Sequence, residues 1–225
     1  LRKARENTGL VRDDYFDWRK GASDLLDSGE KINLAVMLIG SNDRQPIREG
    51  AVYHDLLSPR WKELYAARVA AIAESFRARD IRLVWVGLPI MKWQTMQVSA
   101  TAINDIFRQQ AAQGGAAFVD IWDSFADERG QYSDYGPNVA GQTVKLRSAD
   151  GVHFTRAGAR KLAHFVEGGI RNLIVETRPP ADQPVARVSP AAAVPPAPSQ
   201  PATPAPAPRP PLGPVRQLTR QTASP

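Results

Sequence analysis

Residues 34–43 read Leu34-Ala35-Val36-Met37-Leu38-Ile39-Gly40-Ser41-Asn42-Asp43. Six apolar residues followed directly by four turn formers predict a strand buried on both faces that ends in a tight turn. Such a strand belongs to a parallel sheet covered by helices. The rest of the chain must then supply further strands, with helices between them.

It does so in alternation. Leu83 to Leu88 (LVWVGL) is a second apolar run, stopped by Pro89, and Ala117 to Ile121 (AFVDI) is a third. Between the first two, Trp61, Leu64, Tyr65, Val69, Ile72 and Phe76 keep to one helical face behind the start signal Ser58-Pro59. Ala102, Ile103, Ile106 and Phe107 mark a second helix, ended by Gly114-Gly115. A third runs from the N-cap Thr155 through Ala159, Leu162, Ala163 and Val166, and is expected to stop at Gly168-Gly169. The expected class is α/β, a three-layer α/β/α arrangement around a central parallel sheet. Ligand crevices in such sheets lie beyond the carboxyl ends of the strands, so chemistry is sought directly after each strand.

Composition divides the chain. Of its 19 prolines, fifteen lie beyond residue 178, among stretches such as PATPAPAPRPP. One domain is therefore expected over residues 1–177 and a disordered Pro/Ala-rich tail over 178–225. The chain has 225 residues and no cysteine, which excludes disulfide frameworks, thiolate zinc sites and a Cys nucleophile. No run approaches the roughly 18 apolar residues of a membrane helix. Net charge is +6, but the domain's charges are interleaved, as in LRKARE and DERG, with no basic stripe. No nucleic-acid partner is expected.

Two short blocks could carry chemistry, one directly after the first strand and one just before the helix that Thr155 caps. Gly40-Ser41-Asn42-Asp43, taken alone, also reads as a plain turn. Asp150-Gly151-Val152-His153, taken alone, also reads as a loop held by local hydrogen bonds. Together they are more informative. An Asp three residues before a His in a loop can fold back on the ring and accept from Nδ1–H, leaving Nε2 to take a proton from a nucleophile. An Asn at the end of a strand can aim its amide at a developing oxyanion.

With these blocks the sequence resembles the SGNH (GDSL-like) hydrolase superfamily, in a bacterial branch classed as domain of unknown function family 459. The resemblance runs from about Arg5 to Val175 and rests on the Gly9 segment, LIGSNDRQ and SADGVHFTRAGARKLAHFVE. It implies a flavodoxin-like SGNH fold and a Ser-His-Asp triad needing neither metal nor cofactor. His153 would be the general base and Asp150 its orienting carboxylate. Asn42 and the Gly9 amide would line the oxyanion hole, with Gly40 and Asp43 supporting the loop. One departure matters: the family's Gly-Asp-Ser block should precede Gly9, and only eight residues do so. The first strand and its nucleophile are therefore expected upstream of Leu1, together with a signal or anchor segment. Ser23 and Ser41 do not fit the nucleophile's place.

Arg12, Tyr15, Trp18 and Met91 are candidates to line a substrate site, Tyr15 or Trp18 as a sugar platform, with local packing as the competing role. Trp93 and Met96 could join Met91 in an apolar rim. Residues 132–144 (YSDYGPNVAGQTV) read as a long loop able to act as a lid. His54 and His164 read as surface or packing residues. The resemblance implies an O-acyl ester substrate, a small molecule or a glycan, and a periplasmic or cell-envelope location. The alternatives are a non-catalytic binding module with a degenerate pocket, an O-acyltransferase, and a metal phosphoesterase using Asp43, Asp150 and His153.

Overall fold

The computed structural model describes residues 1–176, and the tail expected over 178–225 lies outside them. In chain order the elements are α1 (Trp18–Leu26), β1 (Leu34–Met37), β2 (Ile47–Glu49), β3 (Val52–His54), α2 (Pro59–Arg77), β4 (Arg82–Val86), α3 (Gln94–Gln113), β5 (Ala117–Val119), a 3-10 turn (Asp123–Phe125), β6 (Tyr135–Pro137), β7 (Thr143–Lys145) and α4 (Arg156–Glu176).

The three predicted strands form one parallel sheet in the order β1-β4-β5. Leu34 stands opposite Arg82, and Val84 opposite Ala117. The alternation of side chains along β4 builds the layers. Leu83 and Trp85 join a core with Trp61, Tyr65, Val69, Ile72 and Phe76 of α2 and Ile103 and Phe107 of α3. Val84 and Val86 point the other way, into a second core reached by Leu162, Phe165, Val166 and Ile170 of α4. The result is the expected sheet between helical layers.

Three local expectations change. β1 is not buried on both faces. It pairs only with β4 among the described strands, and Val36 and Leu38 stay 45% and 49% exposed. A groove of about 1050 Å³ runs along this edge, lined in part by Leu25, Ile32, Val36 and Phe76. Next, α4 does not stop at Gly168-Gly169 but runs on to Glu176. Gly169 lies against β5, where a Cβ would come within 2.3 Å of Val119 Cγ2, so this glycine serves close helix–sheet packing rather than termination. The stretch 132–144 is not an open loop, because β6 and β7 pair antiparallel within it. Residues 47–54 form a further hairpin, β2–β3. Both hairpins use three-residue strands, too short for an alternation of apolar and polar residues to stand out.

Candidate active site

The turn after β1 is built around Asp43, which is completely buried. Its Oδ2 accepts from the Leu10 N–H at 2.9 Å and from the Tyr65 hydroxyl at 2.8 Å. Its Oδ1 accepts from the Val11 N–H at 2.9 Å. One carboxylate thus ties three distant segments together: the Gly9 loop, the turn after β1, and α2. Burial pushes the Asp43 carboxyl above its usual range, while the Leu10 and Val11 amides, the Tyr65 hydroxyl and the Arg68 charge pull against that shift. The Tyr65 hydroxyl is pushed well up, by burial first and by Asp43 second.

α2 contributes a second hold one turn further on. Arg68 donates from Nη1 to the carbonyls of Leu10 and Val11, the latter at 2.8 Å. The Leu10–Val11 peptide is therefore held on its N–H side by Asp43 and on its C=O side by Arg68. The Gly9 N–H makes no hydrogen bond among the described residues. Asn42 is exposed and donates one amide hydrogen to the Thr8 carbonyl at 3.0 Å. Gly40, at φ 118°, turns the chain above Phe107, which a Cβ would approach to 3.0 Å.

The second block lies in the loop between β7 and α4. Asp150 Oδ2 stands 2.7 Å from His153 Nδ1. Its Oδ1 accepts from the backbone N–H groups of Val152 at 2.8 Å and His153 at 3.0 Å. These bonds, from the Val152 amide first and then from the His153 ring and amide, hold the Asp150 carboxyl well below the usual carboxylate range. An ionised Asp150 favours the tautomer with hydrogen on Nδ1, leaving Nε2 as a base. The ring is open to solvent, with 79% of its side chain exposed. Thr155 closes the loop: its Oγ1 accepts from the Gly158 N–H at 3.1 Å, capping α4.

Both blocks sit past the carboxyl ends of the parallel strands. The Asn42 turn follows β1. The His153 loop touches the segment that follows β4, where Lys92 Nζ reaches the Ala149 carbonyl at 3.4 Å and a Cβ on Gly151 would meet Lys92. Val152 packs on the core that contains Met91, Leu10 and Val11. No hydrogen bond joins the two blocks directly among the described residues.

The flanking candidates separate. Tyr15 is 68% exposed, with the Arg12 guanidinium 4.9 Å above its ring, and Arg12 also pairs with Asp14 at 2.6 Å. Trp18 is half-buried and donates from Nε1 to Thr8 Oγ1 at 3.0 Å, so it braces the Gly9 loop from beneath. Met91, a candidate for the rim with packing as its competing role, is buried in the core, since the segment after β4 folds down onto the sheet. Met96 is likewise buried and only Trp93 projects. His54 packs against Glu49 across the β2–β3 hairpin, with Nε2 at 2.9 Å from Oε2. Both oxygens of Asp43 are taken by N–H and O–H donors, so Asp43 is not available to the metal reading.

Three residues of this region had no signal in the sequence. Tyr65 and Arg68 look like ordinary members of α2. Asn104 is buried in α3 and grips the Leu88 peptide on both sides, accepting from its N–H at 2.7 Å and donating to its C=O at 2.8 Å. Only a buried polar residue on an otherwise apolar helix face could have marked it.

Fold and site together define an α/β/α protein with a loop-borne Asp–His pair at the carboxyl edge of a parallel sheet. The chain belongs to the family described as Protein of unknown function (DUF459), which matches residues 1–168. This is the branch its motifs pointed to. Among solved structures, the chain aligns with a "putative acylhydrolase" from Bacteroides fragilis NCTC 9343, at a TM-score of 0.43 and 17% identity, over 63% of this chain and 62% of that one. It thus spans less than two thirds of that protein's length. No curated protein matches it.

Proposed function

We propose that this chain carries the acid–base and oxyanion parts of an SGNH-type serine ester hydrolase. The observation that carries the reading is the Asp150–His153 contact of 2.7 Å, with the far side of the ring open to solvent. The nucleophilic Ser comes from a further strand paired to the edge of β1 that no described strand covers. Support for that strand lies in the exposed Val36 and Leu38 and the groove beside them. A parallel strand there would end next to the Gly40–Asn42 turn, on the same edge of the sheet as His153.

In the first half-reaction the Ser Oγ attacks the acyl carbon and its proton passes to His153 Nε2. The carbonyl oxygen becomes an oxyanion facing the Gly9 N–H and the second amide hydrogen of Asn42. Collapse breaks the ester bond, and His153 returns the proton to the leaving alcohol. Water then attacks the acyl-enzyme, giving its proton to His153, and the acid leaves as Ser Oγ is reprotonated. Asp150 stays ionised throughout and stabilises the imidazolium. The substrate is an O-acylated carbohydrate, a reading supported by the solvent-facing Tyr15 ring near the Gly9 loop; a cell-envelope glycan would fit it.

The test is hydrolysis of a chromogenic acetate ester by this chain and by a version extended upstream of Leu1. Activity in the extended form that falls by about 10⁴–10⁶-fold in His153→Ala supports the hydrolase. Activity in neither form favours the binding module instead.

A further inference from the structure

Arg147 is the residue of this region that folding alone does not explain. It is completely buried. It makes no ion pair with any carboxylate among the described residues, and burial pulls its pKa down. Its Nε has no hydrogen-bond partner. Burying the cation is costly, offset only in part by the charges of Asp150 and Asp134, and an apolar side chain of like volume would fill the space without that cost. The guanidinium instead binds carbonyls. Nη1 donates to Ile90 O at 2.8 Å, and Nη2 donates to Gly151 O at 2.9 Å and Val152 O at 3.0 Å. It also lies against two aromatic rings, 4.9 Å from Phe154 and 5.4 Å from Tyr132.

The three carbonyls lie on two segments. Ile90 belongs to the stretch that follows β4. Gly151 and Val152 are the two residues between Asp150 and His153. A planar fork that grips both segments fixes their separation in a way that a point charge or an apolar contact does not.

We propose that Arg147 is a positioning residue for the Asp150–His153 pair, clamping the loop that carries it to the end of the central strand. It touches neither reacting group and acts through the Gly151 and Val152 carbonyls. The inference rests on reading His153 as the general base.

The experiment compares the chain with Arg147→Lys and Arg147→Met by amide hydrogen exchange and NMR. In the unsubstituted chain the Arg147 guanidinium protons should be resolved and slow to exchange. In Arg147→Lys, which keeps the charge but loses the fork, the Val152 and His153 amides should exchange about tenfold faster. The Leu10 and Val11 amides, held by Asp43, should not change. Arg147→Met should loosen the same two amides at least as much. A folded Arg147→Lys with unchanged Val152 and His153 exchange overturns the proposal. Freely rotating, fast-exchanging guanidinium protons in the unsubstituted chain also overturn it, whether or not the variants fold.

A kinetic arm uses the extended protein, with rates expressed per serine reactive toward a fluorophosphonate. Arg147→Lys should lower kcat by about 10–100-fold, as expected for a misplaced catalytic group, with KM nearly unchanged. Unchanged kcat per reactive serine counts against the proposal. If the unsubstituted extended protein is inert toward esters, the hydrolase reading falls, and the exchange data still decide the role of Arg147.

Discussion

Gly9 has no space for a side chain because Asp43 stands against it: a Cβ built on Gly9 would lie 2.0 Å from Asp43 Oδ1. The carboxylate cannot retreat, since its oxygens already hold the Leu10 and Val11 amides and the Tyr65 hydroxyl. Gly9→Ala should therefore break that set of bonds rather than be absorbed. We expect a loss of about 1–3 kcal/mol in urea unfolding, the usual cost of overpacking. An Ala variant as stable as the parent would show that Asp43 can move.

Tyr65→Phe removes one of the three donors to Asp43 and leaves the packing of the ring intact. The ring stacks on Trp61 at 4.7 Å and would continue to do so. The expected cost is about 1–2 kcal/mol, for one buried hydrogen bond. Asp43→Asn should cost more, because its amide would turn a donor toward the N–H groups of Leu10 or Val11. Both values can be read from chemical denaturation, and the order Asp43→Asn above Tyr65→Phe is the critical outcome.

Asp150 carries a pH signature. Its folded-state pKa is depressed, so its ionisation adds stability above the unfolded value of about 3.9. That contribution fades as the pH falls below about 4 toward the folded midpoint. Asp150→Asn should be less stable than the parent at pH 7, and the gap should narrow progressively in acid. Paired thermal melts across this range read it. A gap that stays constant down to pH 2 would mean that the carboxylate is not held by Val152 and His153 as described.

Two glycines of α4 should respond in opposite directions. A Cβ on Gly158 would lie 2.0 Å from the Leu146 carbonyl oxygen, whereas one on Gly168 would have nothing within 4 Å. Gly158→Ala must push the helix start away from β7 and should destabilise. Gly168→Ala should stabilise by about 0.5–1 kcal/mol, through helix propensity and a less flexible unfolded chain. Comparing their melting temperatures tests the register of α4 against the rest of the domain.

What could be read before folding follows the range of each interaction. The Asp150–His153 pair was legible because its partners are three residues apart, and a loop conformation suffices to join them. β1, β4 and β5 were legible as apolar runs, although the exposure of Val36 was not, since edge position is a property of the sheet. The braces of the site were not legible. Asp43 meets Leu10, Val11 and Tyr65 across 22 to 33 residues, and Arg147 meets Ile90 across 57. Nothing local distinguishes these residues from surface arginines or helix tyrosines.

By itself, then, the order of residues determined the alternation of strands and helices and the identity of the Asp–His block, because periodicity and short-range hydrogen bonding are written into neighbouring positions. Only the tertiary structure decided that Gly9 leans on Asp43, that Met91 is core, and that a buried Arg147 grips the loop of His153. Those outcomes depend on which surfaces the packed layers bring within hydrogen-bond reach, and chain separation carries no information about that.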